Sequence, residues 1–147
     1  MELFVKNFNE LTLDELYDIL KLRINVFVVE QECPYPECDD FDKIAAHLFI
    51  VDNNKIVAYT RVLAPDSRYK EPSIGRVIVN SEKRGSGFGY KIMNESIDYI
   101  KKEFQSDNIK IQAQAYLEKF YSSLGFKKIS EEYLEDDIPH IDMMLYL

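Results

Sequence analysis

At 147 residues with 46% hydrophobic content, the chain is the size of one globular domain that buries a core without metal or disulfide staples. Its 26 acidic residues outnumber 18 basic ones for a formal charge of −8, which argues against nucleic acid or an anionic membrane as partner. A cationic amine substrate agrees with that charge, and so does plain solubility. No run reaches the length of a membrane span and the N-terminus lacks a basic–apolar–small signal pattern, so the cytoplasm is the expected location.

Glu2–Phe8 alternates apolar and polar residues as a strand does. Thr12-Leu13-Asp14-Glu15 fits a capping box. Leu13, Leu16, Tyr17, Leu20, Ile24 and Phe27 follow at helical spacing and predict one buried stripe. The β-branched run at Val26–Val29 predicts that this helix stops there and passes inward. Glu32 to Ala46 holds Pro34, Pro36 and the acids Glu32, Glu37, Asp39, Asp40 and Asp42, and reads as a binding loop or lid.

His47–Val51 and Lys55–Ala64 form a predicted hairpin around Asp52-Asn53-Asn54. Ile74–Val79 reads as a buried strand. Gly87–Phe104 reads as a helix burying Met93, Ile97, Ile100 and Phe104, and Ile109–Ala115 as a strand of period two. Leu117–Leu124 is a short helix closed by Gly125. Phe126–Ile129 and Ile138–Leu147 are the closing strands, separated by the acidic run Glu131–Asp137. With no internal repeat and no linker, residues 1–147 form a single domain, α/β or α+β, built as a three-layer sandwich. Cys33 and Cys38 match neither a redox Cys-x-x-Cys nor a four-ligand zinc site, so free thiols and no metal are expected.

The junction after Val79 carries the chemistry. Asn80-Ser81-Glu82-Lys83-Arg84-Gly85-Ser86-Gly87-Phe88-Gly89-Tyr90 takes a strand through a polar turn into a glycine-rich helix start. Such a junction aims several backbone N–H groups and the positive end of the helix dipole at one spot, which suits phosphate oxygens. Gly85, Gly87 and Gly89 let a bulky anion approach the backbone, and Arg84 adds a charged donor fork. A dinucleotide fingerprint fails because Tyr90 stands where its third Gly belongs, and a P-loop fails because no Gly-Lys-Ser/Thr follows. Glycine used for turn geometry alone is the plain alternative.

Arg84-x-x-Gly87-x-Gly89 after a Val-rich strand resembles the acyl-CoA pyrophosphate loop of the GNAT acetyltransferase superfamily. Phe120-Tyr121-x-x-Leu124-Gly125-Phe126 is similar to that family's downstream strand–helix segment. Leu22-Arg23, Val26–Gln31, Cys33-Pro34-Tyr35, Gly75-Arg76-Val77, Gln112-Ala113-Gln114 and Ile138-Pro139-His140-Ile141 narrow the resemblance to the ElaA-like subgroup over almost the whole chain. That subgroup tends to carry His where Tyr116 stands and Gly where Asp137 stands, so no general base is expected at 116.

The resemblance implies a mixed, mostly antiparallel central sheet flanked by helices, with splayed parallel central strands at Ile74–Val79 and Ile109–Ala115. It implies acetyl-CoA as co-substrate, its pantetheine along the backbone of Val77, Ile78 and Val79. The diphosphate would meet Arg84, Gly85, Ser86, Gly87, Phe88, Gly89 and Tyr90, with Gln114 and Tyr121 completing the coenzyme site. The implied activity is direct N-acetyl transfer to a primary amine, of a small molecule or a peptide, in a ternary complex. A non-catalytic acyl-CoA-binding sensor or interaction module is the alternative, and a homodimer is left open.

An alkylammonium has a pKa near ~10, so transfer at neutral pH needs a base or a water relay. Candidates are Glu30, at the end of the first helix, and His140, after Pro139. Tyr121 stands where the family's general acid stands and would protonate the departing sulfur; a core tyrosine with a bonded hydroxyl is the plain alternative. His47 opens an apolar strand and reads as structural. Arg23, Arg61 and Arg76 sit among apolar residues and are expected to pair with Glu30 or loop carboxylates, or to anchor an anionic part of a substrate. The acidic stretches 37–42 and 131–137 hint at a cationic acceptor.

Overall fold

The sheet is assembled out of chain order, and that order makes the cleft. A computed structural model describes residues 1–147, with strands β1 (Glu2–Asn7), β2 (Ala46–Asp52), β3 (Lys55–Leu63), β4 (Ser73–Val79), β5 (Asn108–Gln114), β6 (Lys127–Lys128), β7 (Tyr133–Glu135) and β8 (Ile138–Tyr146). They lie in the order β1-β2-β3-β4-β5-β8-β6, with β7 also paired to β8. Every pairing is antiparallel except β4 with β5. Those two strands meet only where Ser73 faces Lys110, the Lys110 N–H donating to the Pro72 carbonyl at 3.0 Å. Beyond that point they diverge, and backbone groups that a sheet interior would pair are left facing a gap.

Helices α1 (Leu13–Arg23), α2 (Phe88–Phe104) and α3 (Glu118–Ser123) complete the fold. On one face of the sheet, Ile92, Met93, Ile97 and Ile100 of α2 pack on Leu48, Ile50, Ala58, Val62 and Ile109. On the other, Ile19 of α1 packs on Phe49, Tyr59 and Ile78. Three layers result, as expected. Burial on both faces explains why β2 reads as a continuous apolar run rather than an alternation.

Local signals were reliable where they closed on themselves. The capping box forms, Glu15 N–H donating to Thr12 Oγ1 at 3.0 Å and Thr12 N–H to Glu15 Oε1 at 2.9 Å. The predicted stripe of α1 needs correction. Leu13 and Tyr17 are 87% and 69% exposed, and Ile24 is exposed too, whereas Ile19 and Arg23 are the buried residues. The helix offers two apolar faces, and an ion-paired arginine marks the buried one. Helical conformation does end at the β-branched run, α1 first widening into a π-helical turn over Ile24–Glu30.

The acidic run before the last strand hides β7. Glu135 pairs with Ile138 across the two-residue turn Asp136-Asp137, and both turn residues have positive φ, 49° and 61°. That is the conformation of a tight hairpin, which Asp tolerates and Gly favours. The turn therefore survives with Asp137 in place of the subgroup's Gly. No helix is long and apolar enough to cross a membrane.

Candidate active site

Divergence of β4 from β5 opens a cavity of about 1030 Å³. Its wall on β4 is shaped by a bulge. Tyr59 faces Ile78 and Arg61 faces Gly75, so two residues of β4 oppose the single Thr60 of β3. Arg76, one of the two, has φ 52°, a strained conformation for a residue with a side chain. Its guanidinium is held from below, Nε donating to Glu37 Oε1 at 2.9 Å and Nη2 to Asp39 Oδ2 at 3.3 Å.

Those bonds belong to a buried knot. Arg23 meets Glu37 at 2.6 Å and Asp42 at 2.7 Å, and Arg61 meets Asp39 at 2.7 Å and Asp42 at 3.2 Å. Burial works to raise the pKa values of Asp39 and Asp42, but the facing arginines outweigh it and hold both below the ordinary carboxylate range. The stretch 37–42, read as a lure for a cationic acceptor, thus gives three of its four acids, Glu37, Asp39 and Asp42, to Arg23, Arg61 and Arg76. His47 is structural as expected: fully buried, with Nδ1 at 2.6 Å from the Tyr59 hydroxyl and Nε2 at 2.9 Å from the Asp42 carbonyl.

At the other end of the cavity, β4 passes through a 3-10 turn, Ser81–Lys83, into α2. Gly85 and Gly87 have φ of 84° and 87° with open space where a Cβ would stand. α2 has no side-chain cap and no acidic residue in its first turn. Its first internal bond is Lys91 N–H to the Gly87 carbonyl at 3.1 Å, so the preceding amides of Gly87 to Tyr90 have no intrahelical acceptor. A diphosphate fits this cradle. Val77–Val79, Gly85, Gly87–Tyr90, Gln114, Tyr121, His140 and Glu30 all line the same cavity. Ser86 does not; its hydroxyl turns back to the Lys83 carbonyl.

Glu30 and Arg84 meet each other. Arg84 Nη1 and Nη2 donate to the two Glu30 carboxylate oxygens at 2.6 and 2.8 Å, and its Nε donates to the Val79 carbonyl at 3.2 Å. The bond to Arg84 lowers the Glu30 pKa and raises that of Arg84. With that bond in place Glu30 is a poorer proton acceptor than a free glutamate. One residue on, the Gln31 and Gln114 amides exchange hydrogen bonds at 3.2 and 3.3 Å, a bridge from the π-helical turn to β5 that the sequence did not announce. Cys33, a buried free thiol, extends the cover by donating to the Asp136 carbonyl at 3.4 Å, while Cys38 is free and exposed. No cluster of His, Cys, Asp or Glu is arranged to hold a metal ion.

Tyr121 is 6% exposed and lines the cavity, and its hydroxyl has no protein hydrogen-bond partner. Burial pushes its pKa up, which keeps the phenol neutral. His140 stacks on Tyr133 with ring centroids 6.4 Å apart. Its Nδ1 lies 2.7 Å from the Ile138 carbonyl. A carbonyl only accepts, so Nδ1 carries a proton, and in the neutral imidazole the lone pair is on Nε2. Tyr133 is fixed in turn by a bond to Asp142 and by Gln112 Nε2 at 3.0 Å.

A split parallel pair, a bulged strand and an uncapped glycine loop in one cavity define an acyl-CoA-dependent acyltransferase fold. The comparisons agree: the model of the acetyltransferase (GNAT) domain matches residues 20–147, and the chain belongs to that family. It is similar to a UPF0039 protein of Schizosaccharomyces pombe, 45% identical over 100% of this chain and 98% of that one. Protein ElaA of Escherichia coli is 39% identical over 92% of this chain and 90% of its own. The crystal structure of an acyl-CoA N-acyltransferase from Pseudomonas aeruginosa superposes with a TM-score of 0.93 at 38% identity, covering 99% of each chain.

Proposed function

We propose that the chain is an acetyl-CoA-dependent N-acetyltransferase that moves the acetyl group directly to a primary amine held in the same cavity. The observation that carries this reading is the continuity of one cavity from the uncapped start of α2 to His140, with the Tyr121 hydroxyl facing it unbonded. The amides of Gly87–Tyr90 receive the diphosphate. The bulged backbone at Val77–Val79 holds the pantetheine amides and supplies N–H groups where negative charge develops on the carbonyl oxygen.

His140 Nε2 is the proton acceptor in this reading, because the neutral tautomer set by the Ile138 carbonyl leaves its lone pair on a side chain that lines the acceptor end of the cavity. The Tyr121 hydroxyl faces the departing sulfur. The N–C bond forms and the C–S bond breaks. The alkylammonium loses two protons in all, one to His140 before attack and one from the nitrogen after the N–C bond forms. Tyr121 protonates the departing sulfur and is restored by the second of these, and His140 releases the first to solvent.

Coenzyme release followed with acetyl-CoA and a panel of polyamines, amino acids, aminoglycosides and lysine peptides tests the reading. Release that depends on an amine supports it. Binding heat with coenzyme but no amine-dependent release supports instead the non-catalytic acyl-CoA-binding module. Tyr121→Phe should lower turnover by about 10²–10⁴-fold with the acetyl-CoA Kd unchanged. Unchanged turnover would remove the phenol from the reaction.

A further inference from the structure

Arg68 differs from every other arginine at the cavity. Arg61, Arg76 and Arg84 each meet a carboxylate, whereas Arg68 makes no ion pair. It stands on the loop between β3 and β4 with its guanidinium 5.2 Å from the centre of the Tyr69 ring. Its Nη2 donates to Gln112 Oε1 at 2.9 Å. Both partners are neutral, so they orient the guanidinium without discharging it. Lys110 places a second positive charge 4.5 Å from the centre of the same ring. Glu135 and Asp136 of the β7–β8 hairpin line the same cavity without any ion pair. The cavity wall thus carries a guanidinium and two carboxylates that no opposite charge offsets.

Strand register places Gln112, the residue that holds Arg68, close to His140. Gln114 faces His140 and Gln112 faces Asp142, so Gln112 and His140 are diagonal neighbours, about 7–8 Å apart. Tyr133 links them, stacking on His140 and accepting the Gln112 amide.

We propose that the acceptor is a zwitterion, an amine presented to His140 whose carboxylate, several bonds away, docks on Arg68. An ω-amino acid, or the side-chain amine of a lysine with a free carboxylate, has that form. This rests on the acyl-transfer reading and names its substrate class. Glu135 and Asp136 draw in the ammonium end, and Arg68 fixes the other. A simple alkylamine leaves Arg68 unpaired, and a diamine brings its second positive charge against it.

Protein saturated with CoA, titrated calorimetrically with 6-aminohexanoate, hexylamine and 1,5-diaminopentane, tests this, with turnover of the same three amines on acetyl-CoA. The expected result is binding of 6-aminohexanoate and a kcat/KM at least about tenfold better than for the other two, a ratio worth about 1.4 kcal/mol. Arg68→Gln should erase that preference by raising KM for 6-aminohexanoate toward the value for hexylamine. Arg68→Lys should keep part of it. Equal binding of the three amines, an unchanged ratio in Arg68→Gln, or no binding of 6-aminohexanoate to CoA-loaded protein each overturns the proposal. Failure of CoA itself to bind is a separate result and overturns the acyl-transfer reading beneath it.

Discussion

The knot under the bulge and the bridge at the cavity mouth use the same chemistry, arginine against carboxylate, in opposite surroundings. Arg23 and Glu37 are 1% and 4% exposed, whereas Arg84 and Glu30 are 44% and 45% exposed. In the knot, three arginines face three carboxylates with little access to water, so none can leave without stranding another charge. Its rigidity has a use, because it grips Arg76 in the strained conformation of the β4 bulge that lines the cavity. At the mouth, water competes for both partners and the pair is replaceable. In the function proposed above, a diphosphate would take Arg84 from Glu30, and the bridge would give way without loss of the fold.

The sharpest way to break this contrast is at Arg23. Arg23→Ala leaves Glu37 and Asp42 buried without a shared partner and should cost about 3–5 kcal/mol in urea unfolding. A loss below about 1 kcal/mol would put the knot in the same class as the bridge.

Acid should separate the regions next. Asp39 and Asp42 titrate below their unfolded value of 3.8, so they favour the fold at any pH above that value, and the effect vanishes as pH falls through their folded pKa values. Burial depresses the His47 pKa below its unfolded value of 6.5, so a milder loss begins earlier, as pH drops through 6.5. Unfolding free energy measured from pH 8 down to pH 3 should therefore be level at first, slope gently below 6.5 and fall steeply below 4. Stability that rose on acidification would contradict both assignments.

Glu30→Gln should behave in the opposite way to Arg23→Ala. Stability should change by no more than about 1 kcal/mol, while acetyl-CoA binds roughly threefold to tenfold tighter once the competitor for Arg84 is gone. The gain should disappear in an Arg84→Gln background; a gain that persists there would mean that Glu30 acts by repulsion alone. Salt should give the smallest effect. Raising ionic strength should narrow the Kd gap between wild type and Glu30→Gln while leaving the unfolding cost of Arg23→Ala nearly as it was.

Much of the fold was legible because its signals are local. The Thr12 cap, the hairpin turn at Asn53-Asn54 (φ 50° and 62°) and the apolar face of α2 each depend on residues a few positions apart. The same holds for the glycines at 85 and 87, whose positive φ follows from the turn they occupy. β7 was missed because acidic side chains hide a strand whose only partner is the neighbouring hairpin arm. The buried face of α1 was misread because burial of Arg23 depends on Glu37 and Asp42, carboxylates 14 and 19 residues away.

The sequence by itself determined the order of elements, the glycine loop and the types of residue available for acyl transfer, since spacing and backbone preference are written residue by residue. Only the tertiary structure decided which charges are spent on each other. It set Glu30 on Arg84 across 54 positions, gave three loop acids to three arginines, and left Arg68 and the Nε2 lone pair of His140 free. Pairing of charges depends on distance in space and on exclusion of water, and neither is encoded in any one stretch of chain.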